Sequence, residues 1–238
     1  MSSNVEAARA AIRRANRIAV LTGAGVSAES GIPTFRSNGG FWQTHRFEEL
    51  ATLEGFSRKP KMVWEWYEER RRGIAAAEPN PGHFALAQLE PTKRTFTLIT
   101  QNVDNLHHRA GSRNVLRLHG DIFAIRCMNC GRERVETNPL HELPPKCQCG
   151  GMMRPGVVWF GEMLPDGAIE KATTAVHQSD VFLVAGTSAQ VYPAAGLIPL
   201  ALENRATVIE VNPEDTDFSD DVAIVLRGTS ADLLPQLL

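Results

Sequence analysis

Short, predominantly apolar runs recur along this chain. They are Ile18-Ala19-Val20-Leu21, Phe96-Thr97-Leu98-Ile99-Thr100, Val115-Leu116-Arg117-Leu118, Val181-Phe182-Leu183-Val184-Ala185, Thr207-Val208-Ile209-Glu210-Val211 and Val222-Ala223-Ile224-Val225-Leu226. They do not alternate with polar residues, so they predict strands buried on both faces. Segments of helical periodicity lie between several of them, such as Val5 to Asn16 and His83 to Leu89. Strands alternating with helices predict an α/β fold with a parallel sheet covered on both sides. The pattern stops after Arg36. Ser37-Asn38-Gly39-Gly40 is turn chemistry, and Phe41-Trp42 opens an aromatic-rich helical region running through Arg72. There Met62, Val63, Trp66 and Tyr67 recur at helical spacing, and Pro79-Asn80-Pro81-Gly82 closes the insertion.

Ligands of parallel sheets bind beyond the carboxyl ends of the strands. Gly23 to Ser27, Gln101 to Asp104, His119, Gly186-Thr187-Ser188 and Asn212 each follow a predicted strand. Gly23, Gly25 and Ala28 carry the G-x-G-x-x-A spacing of a dinucleotide loop: a sharp turn, a close backbone approach to pyrophosphate, and tight packing of the next helix. The free N–H groups at that helix start favour an anion. The acid that normally ends the second strand of such a fold is missing. Glu48 and Glu49 lie near the right distance but in a helix-like segment, so the loop holds phosphates and the ribose is read elsewhere. This disfavours an ordinary dehydrogenase. The expected architecture is a discontinuous Rossmann-like domain (1–36, 79–124 and 157–238). A small domain is built from the insertion (37–78) and a cysteine-bearing module (125–156).

The four cysteines form a C-x-x-C pair, Cys127 and Cys130, and a C-x-C pair, Cys147 and Cys149, each followed by glycine. Four thiolates suit a tetrahedral zinc with no open position for a catalytic water, hence a structural site. Reduced thiols or a redox disulfide is the alternative. Arg126, Arg132 and Arg134 are too few and too mixed with acids for a nucleic-acid ribbon. The 25 basic and 27 acidic residues nearly cancel, which removes any bulk electrostatic argument for nucleic acid or membrane. No apolar run is long enough to span a bilayer, and Met1 to Arg17 has no apolar leader core, so a cytoplasmic protein is expected. The sequence leaves the oligomeric state open, with a monomer as the default expectation.

Taken together, Gly23-Ala24-Gly25-Val26-Ser27, Gly31-Ile32-Pro33-Thr34-Phe35-Arg36, Gln101-Asn102-Val103-Asp104, His119-Gly120-Asp121 and Gly186-Thr187-Ser188 resemble, in order, the signature of the sirtuins. Those are NAD-dependent protein-lysine deacylases, and the resemblance spans nearly the whole chain. It implies NAD as a consumed cosubstrate and acylated protein lysines as substrates. Gly23, Ala24, Gly25, Ser27, Glu29, Phe35, Arg36, Gln101, Asn102, Asp104, Gly186, Thr187, Ser188 and Asn212 would bind NAD. His119 would be the general base acting on the ribose hydroxyl, Asn102 would orient the ribose side and a nearby water, and Asp104 would bind the nicotinamide amide. A lone histidine at a strand end is otherwise a packing residue, and Asn102 or Asp104 equally suits a helix cap. Val157-Val158-Trp159-Phe160-Gly161-Glu162 resembles the family's acyl-lysine tunnel. Val158, Phe160, Gly161, Glu162 and Val191 are accordingly expected at the substrate, where an extended peptide can add by main-chain bonds.

Tyr67 and Arg70 stand three apart in a helical segment and so share a face. Tyr-x-x-Arg here resembles the sirtuin class that removes succinyl, malonyl and glutaryl groups. Thr34, where deacetylases carry Asp, fits that class. A guanidinium and a phenol can pair with an acyl carboxylate. The plain reading of Arg70 is a solvated charge beside Glu68 and Glu69. Mono-ADP-ribosyl transfer and NAD sensing are the other functions open to the same site.

Overall fold

The computed structural model describes residues 3–35 and 46–238. Helix α1 (Ser3–Arg14) turns Val5, Ala8 and Ile12 inward at helical spacing and leads into β1 (Arg17–Thr22). A 3-10 helix, Ala24–Ser30, follows. The insertion consists of α2 (Phe47–Leu50), α3 (Leu53–Arg58) and α4 (Pro60–Ala76). Then come α5 (Pro81–Leu89), β2 (Thr95–Thr100), α6 (Leu106–Arg109) and β3 (Val115–Arg117). Strands β4 (Gly120–Cys127), β5 (Glu133–Val135) and β6 (Met153–Val157) are next. The chain closes with α7 (Ala168–His177), β7 (Val181–Ala185), α8 (Leu197–Glu203), β8 (Thr207–Val211), β9 (Ile224–Leu226) and α9 (Ser230–Leu233).

Six strands form one parallel sheet in the order β3-β2-β1-β7-β8-β9. The chain builds outward from β1 on one side, then returns beside it at β7 and builds outward on the other. This reversal is the switch point where Rossmann-like sheets bind ligands. Successive side chains point to opposite faces. Val20, Leu98, Leu183 and Ile209 pack with α1 and α5, while Leu21, Ile99, Val184 and Val208 pack with α7 and α8.

A smaller antiparallel sheet, β5-β4-β6, carries the cysteines. Its core is continuous with the insertion: Trp64, Trp66 and Tyr67 of α4 pack with Ile122, Ile125, Met153 and Trp159, and with Cys127 and Cys147. Burying an aromatic of this size contributes about 1.5–3 kcal/mol. The Trp64 indole donates to the Met153 carbonyl at 2.9 Å. Arg71 and Glu68 pair at 2.9 Å, and both are buried. Arg71 also donates to the carbonyls of Ile122, Glu136 and Asn138, and Glu68 accepts from the Leu140 amide.

Three local expectations change. The dinucleotide loop opens a 3-10 helix rather than an α-helix, because Gly31 enters the left-handed region and its N–H closes on Ala28 and Ser27. Helix α4 runs past Arg72 to Ala76, since Ile74 still falls on its buried side. Strand β9 begins only at Ile224, while Val222 packs toward the α7–α8 face instead. No helix among the described residues is long and apolar enough to cross a membrane.

Candidate active site

A cavity of about 520 Å³ opens above the switch point, between the strand ends and the small lobe. Its floor is two loops pressed together. Gly23, Ala24 and Gly25 follow β1, and Gly186, Thr187 and Ser188 follow β7; all six line the cavity. A Cβ on Gly23 would stand 2.7 Å from the Gly186 carbonyl oxygen, and one on Gly25 2.8 Å from the Gly186 Cα. One on Gly186 would stand 2.4 Å from the Val26 nitrogen, and Gly186 holds φ +58° as well. These glycines are therefore required by loop-on-loop contact. The Gly25 N–H is engaged by the Gly186 carbonyl at 2.8 Å.

Gln101, Asn102 and His119 line the same cavity from the ends of β2 and β3. His119 Nδ1 lies 3.1 Å from the Gln101 carbonyl. A carbonyl only accepts, so Nδ1 carries the proton and Nε2 is left as the acceptor. Burial lowers the His119 pKa below the ordinary histidine value, which keeps the ring neutral. The Gln101 side chain donates to Thr187 Oγ1 at 3.0 Å, tying the two halves of the floor together. Asn102 donates to the Gly23 carbonyl at 3.0 Å and to Ser27 Oγ at 3.3 Å.

Ser27 and Asp104 lie behind the cavity wall rather than on it. Ser27 donates to Asp104 Oδ2 at 2.9 Å, and Asp104 Oδ1 accepts the Leu106 amide at the start of α6. Asp104 thus satisfies the first amide of α6 from the position before its N-cap, Asn105, and burial raises its pKa. Behind them are His83, 3.3 Å from Ser27, and His107, 3.0 Å from Thr22 Oγ1; their ring centroids lie 4.9 Å apart. Burial pushes the His83 pKa down to about 4 and that of His107 well below the ordinary value.

The roof comes from the small lobe and the segment after β1. Thr34, Phe35, Trp66, Tyr67 and Arg70 line it. The Arg70 guanidinium lies 4.6 Å from the Trp66 ring centroid, 5.0 Å from that of Phe35 and 5.6 Å from that of Tyr67. Burial lowers its pKa. Glu68 pairs with Arg71 and Arg72, so Arg70 is not the solvated member of a Glu68 pair. Val158, Phe160, Gly161, Glu162 and Val191 line the cavity as well. Val158 N–H is spent on the His119 carbonyl, Trp159 N–H on Glu162 and Phe160 N–H on the Ala51 carbonyl. These three amides are therefore unavailable to an added peptide strand. Glu29 and Asn212 also line the cavity, and burial raises the Glu29 pKa. Arg36 lies outside the described residues, as do Ser37 to Gly40 and Phe41-Trp42.

Sequence reasoning missed the rest of the far wall, Pro213 to Asp217. Glu210, buried in β8, holds it: it accepts from Thr216 at 2.6 Å, Ser219 at 2.7 Å and Arg227 at 2.6 Å. An acid inside the apolar run Val208-Ile209-Glu210-Val211 was the available signal, because a buried charge needs such partners.

The four cysteine sulfurs lie within 4.8 Å of one another. Cys127 and Cys149 are 3.5 Å apart, Cys130 and Cys149 3.5 Å, and Cys130 and Cys147 3.8 Å. Four Zn–S bonds of about 2.3 Å set sulfurs about 3.8 Å apart, so the cluster fits a structural zinc. The Asn129 and Cys130 amides point at the Cys127 sulfur at 3.4 and 3.5 Å.

A family model described as the Sir2 family matches residues 23–193. An NAD-dependent protein deacylase of Aquifex aeolicus is 58% identical over 204 residues, 85% of each chain. A Sir2 homolog–NAD complex superposes with a TM-score of 0.92 at 44% identity, covering 98% of this chain and 91% of that one. A Sir2 variant bound to a deacetylated p53 peptide and 3'-O-acetyl ADP ribose superposes with a TM-score of 0.91 at 28% identity, covering 98% and 96%.

Proposed function

Because the chain belongs to the Sir2 family and is an NAD-dependent protein deacylase, we propose that it prefers lysines bearing succinyl, malonyl or glutaryl groups over acetyl-lysine. The observation that carries this reading is the Arg70 guanidinium in the roof of the cavity, beside Tyr67 and among three aromatic rings. An acyl chain ending in a carboxylate needs a cation where water is excluded, and a guanidinium offers two parallel bonds. Desolvation strengthens that attraction. Acetyl-lysine carries no charge there and gains nothing from Arg70.

NAD supplies a ribose carbon that becomes electrophilic as nicotinamide leaves, and the acyl group ends on ADP-ribose. His119 Nε2, unprotonated, takes the proton of the ribose hydroxyl. Asn102, fixed on the Gly23 carbonyl, orients the ribose and a nearby water. The Gly23–Gly25 and Gly186–Ser188 loops hold the phosphates, Asn212 holds the distal ribose, and Phe35 shields the reacting carbon. Ser27 and Asp104 act from behind through Asn102 and the nicotinamide side. Val158 to Glu162 and Val191 hold the acyl-lysine, with the strand ends (1–36, 79–124, 157–238) and the lobe (37–78, 125–156) as the two domains of the cleft.

The test is mass spectrometry of NAD with paired succinylated and acetylated peptides. Free lysine with succinyl-ADP-ribose, formed with the higher kcat/KM, is expected. A higher kcat/KM on acetyl-lysine overturns the preference, and ADP-ribose attached to protein would favour ribosyl transfer.

A further inference from the structure

Trp159 is buried to 2% exposure, and its indole N–H donates to the Tyr67 hydroxyl at 2.9 Å. An indole nitrogen can only donate, so the direction of this bond is fixed: the phenol oxygen accepts. A phenol has one proton to give, and here it is not given to Trp159. Tyr67 lines the cavity beside Arg70, so that proton is left for an acceptor inside the cavity.

The indole is itself held. The Arg154 guanidinium stacks 3.6 Å from its ring centroid, and Phe56 packs at 5.1 Å. Arg154 is bound to both Glu162 oxygens and to the Val157 carbonyl. Glu162 Oε2 accepts the Trp159 backbone N–H at 2.8 Å. Arg154, Phe56 and Glu162 thus fix ring plane and backbone together. Burial also raises the Tyr67 pKa, so the phenol keeps its proton across the physiological range.

We propose that Trp159 is a positioning residue for acyl specificity: by occupying an acceptor site of Tyr67, it points the phenol proton at the carboxylate of an acidic acyl chain. The inference rests on the proposed preference for succinyl-type lysine. Acetyl-lysine has no acceptor at that depth, so the loss of the indole N–H weighs on acidic acyl groups first.

The test compares wild type, Trp159→Phe, Tyr67→Phe and the double variant on succinyl- and acetyl-lysine peptides. Phenylalanine keeps one aromatic ring against Arg154 but removes the N–H together with the indole's second ring, so the comparison with Tyr67→Phe and the double variant separates the bond from the lost volume. The succinyl-to-acetyl ratio of kcat/KM is expected to fall about tenfold in Trp159→Phe, the size of one hydrogen bond, chiefly through the succinyl KM. Tyr67→Phe should match it, and the double variant should lose no more. An unchanged ratio in Trp159→Phe overturns the inference, as do additive losses in the double variant. A wild type faster on acetyl-lysine overturns the specificity reading itself, and the inference with it. Should Trp159→Phe fold poorly, the indole proton resonance of Trp159 carries the test. It should move upfield in Tyr67→Phe, and an unmoved resonance means that the bond is absent.

Discussion

At the floor of the cleft, Gly23, Gly25 and Gly186 bring two backbones so close that one added carbon overlaps its neighbour. At the roof, Phe35, Trp66, Tyr67 and Arg70 meet through side chains alone. In the proposed function, the floor grips what every turnover shares and the roof meets what differs between substrates. Adjacent residues in α4 make the same point. Arg71 is spent on Glu68 and three carbonyls, whereas Arg70 reaches the cavity. Floor changes should therefore scale all reactions together, and roof changes should redistribute them.

The largest effect comes from dismantling the roof. Structural zinc in small modules is worth about 10–16 kcal/mol, comparable to the whole stability of a domain. Cys147→Ala is expected to abolish bound zinc and strip hydrogen-exchange protection from β4 to β6, with β1, β2 and β7 still protected. Protection lost uniformly would mean the two regions are one cooperative unit. His119→Ala, at the floor, is expected to lower kcat/KM about 10²–10⁴-fold on every acyl group, leaving the ratio between them unchanged. A ratio that moves would erase the division.

Arg70→Met sharpens it from the other side. A loss of roughly 2–5 kcal/mol is expected on succinyl-lysine, more than tenfold in kcat/KM, with acetyl-lysine much less affected. Equal losses on both would make Arg70 structural. The smallest effect lies beneath the floor. His83 is held neutral, with its pKa lowered from the ordinary value of 6.5 to about 4. Between those values the unfolded chain binds the extra proton, so His83's contribution is complete above pH 6.5 and shrinks toward pH 4. The slope approaches about 1.4 kcal/mol per pH unit. His83→Gln should flatten the fall of Tm over that window, and an unaltered slope would assign the acid sensitivity elsewhere.

Much of the floor is legible in the amino-acid sequence. Strands buried on both faces read as largely apolar runs, and their polar endings mark the crevice. The cysteine pairs and the i, i+3 placing of Tyr67 and Arg70 are equally local. What escapes is tertiary. The Glu210 clasp reaches residues 6, 9 and 17 positions away, and the Trp159–Tyr67 bond spans 92. No window on the chain contains the second, and the first is a loop closure that neither helical nor strand periodicity marks. Nor can a window tell Arg70 from Arg71, because their chemistry is the same and only their neighbours differ. The backbone of Ala24 to Ser30 tightens to a 3-10 helix under the constraint of Gly31, which spacing alone does not specify.

The contact of Gly23 and Gly25 with Gly186 also has a meaning in the language of the genetic code. Glycine is the one residue without a Cβ, so every missense change at any of these three codons inserts an atom into occupied space. Synonymous third-base changes are the only variation that geometry leaves free. A gene accumulating random substitutions should lose function at these three codons, whichever acyl group the protein is asked to remove.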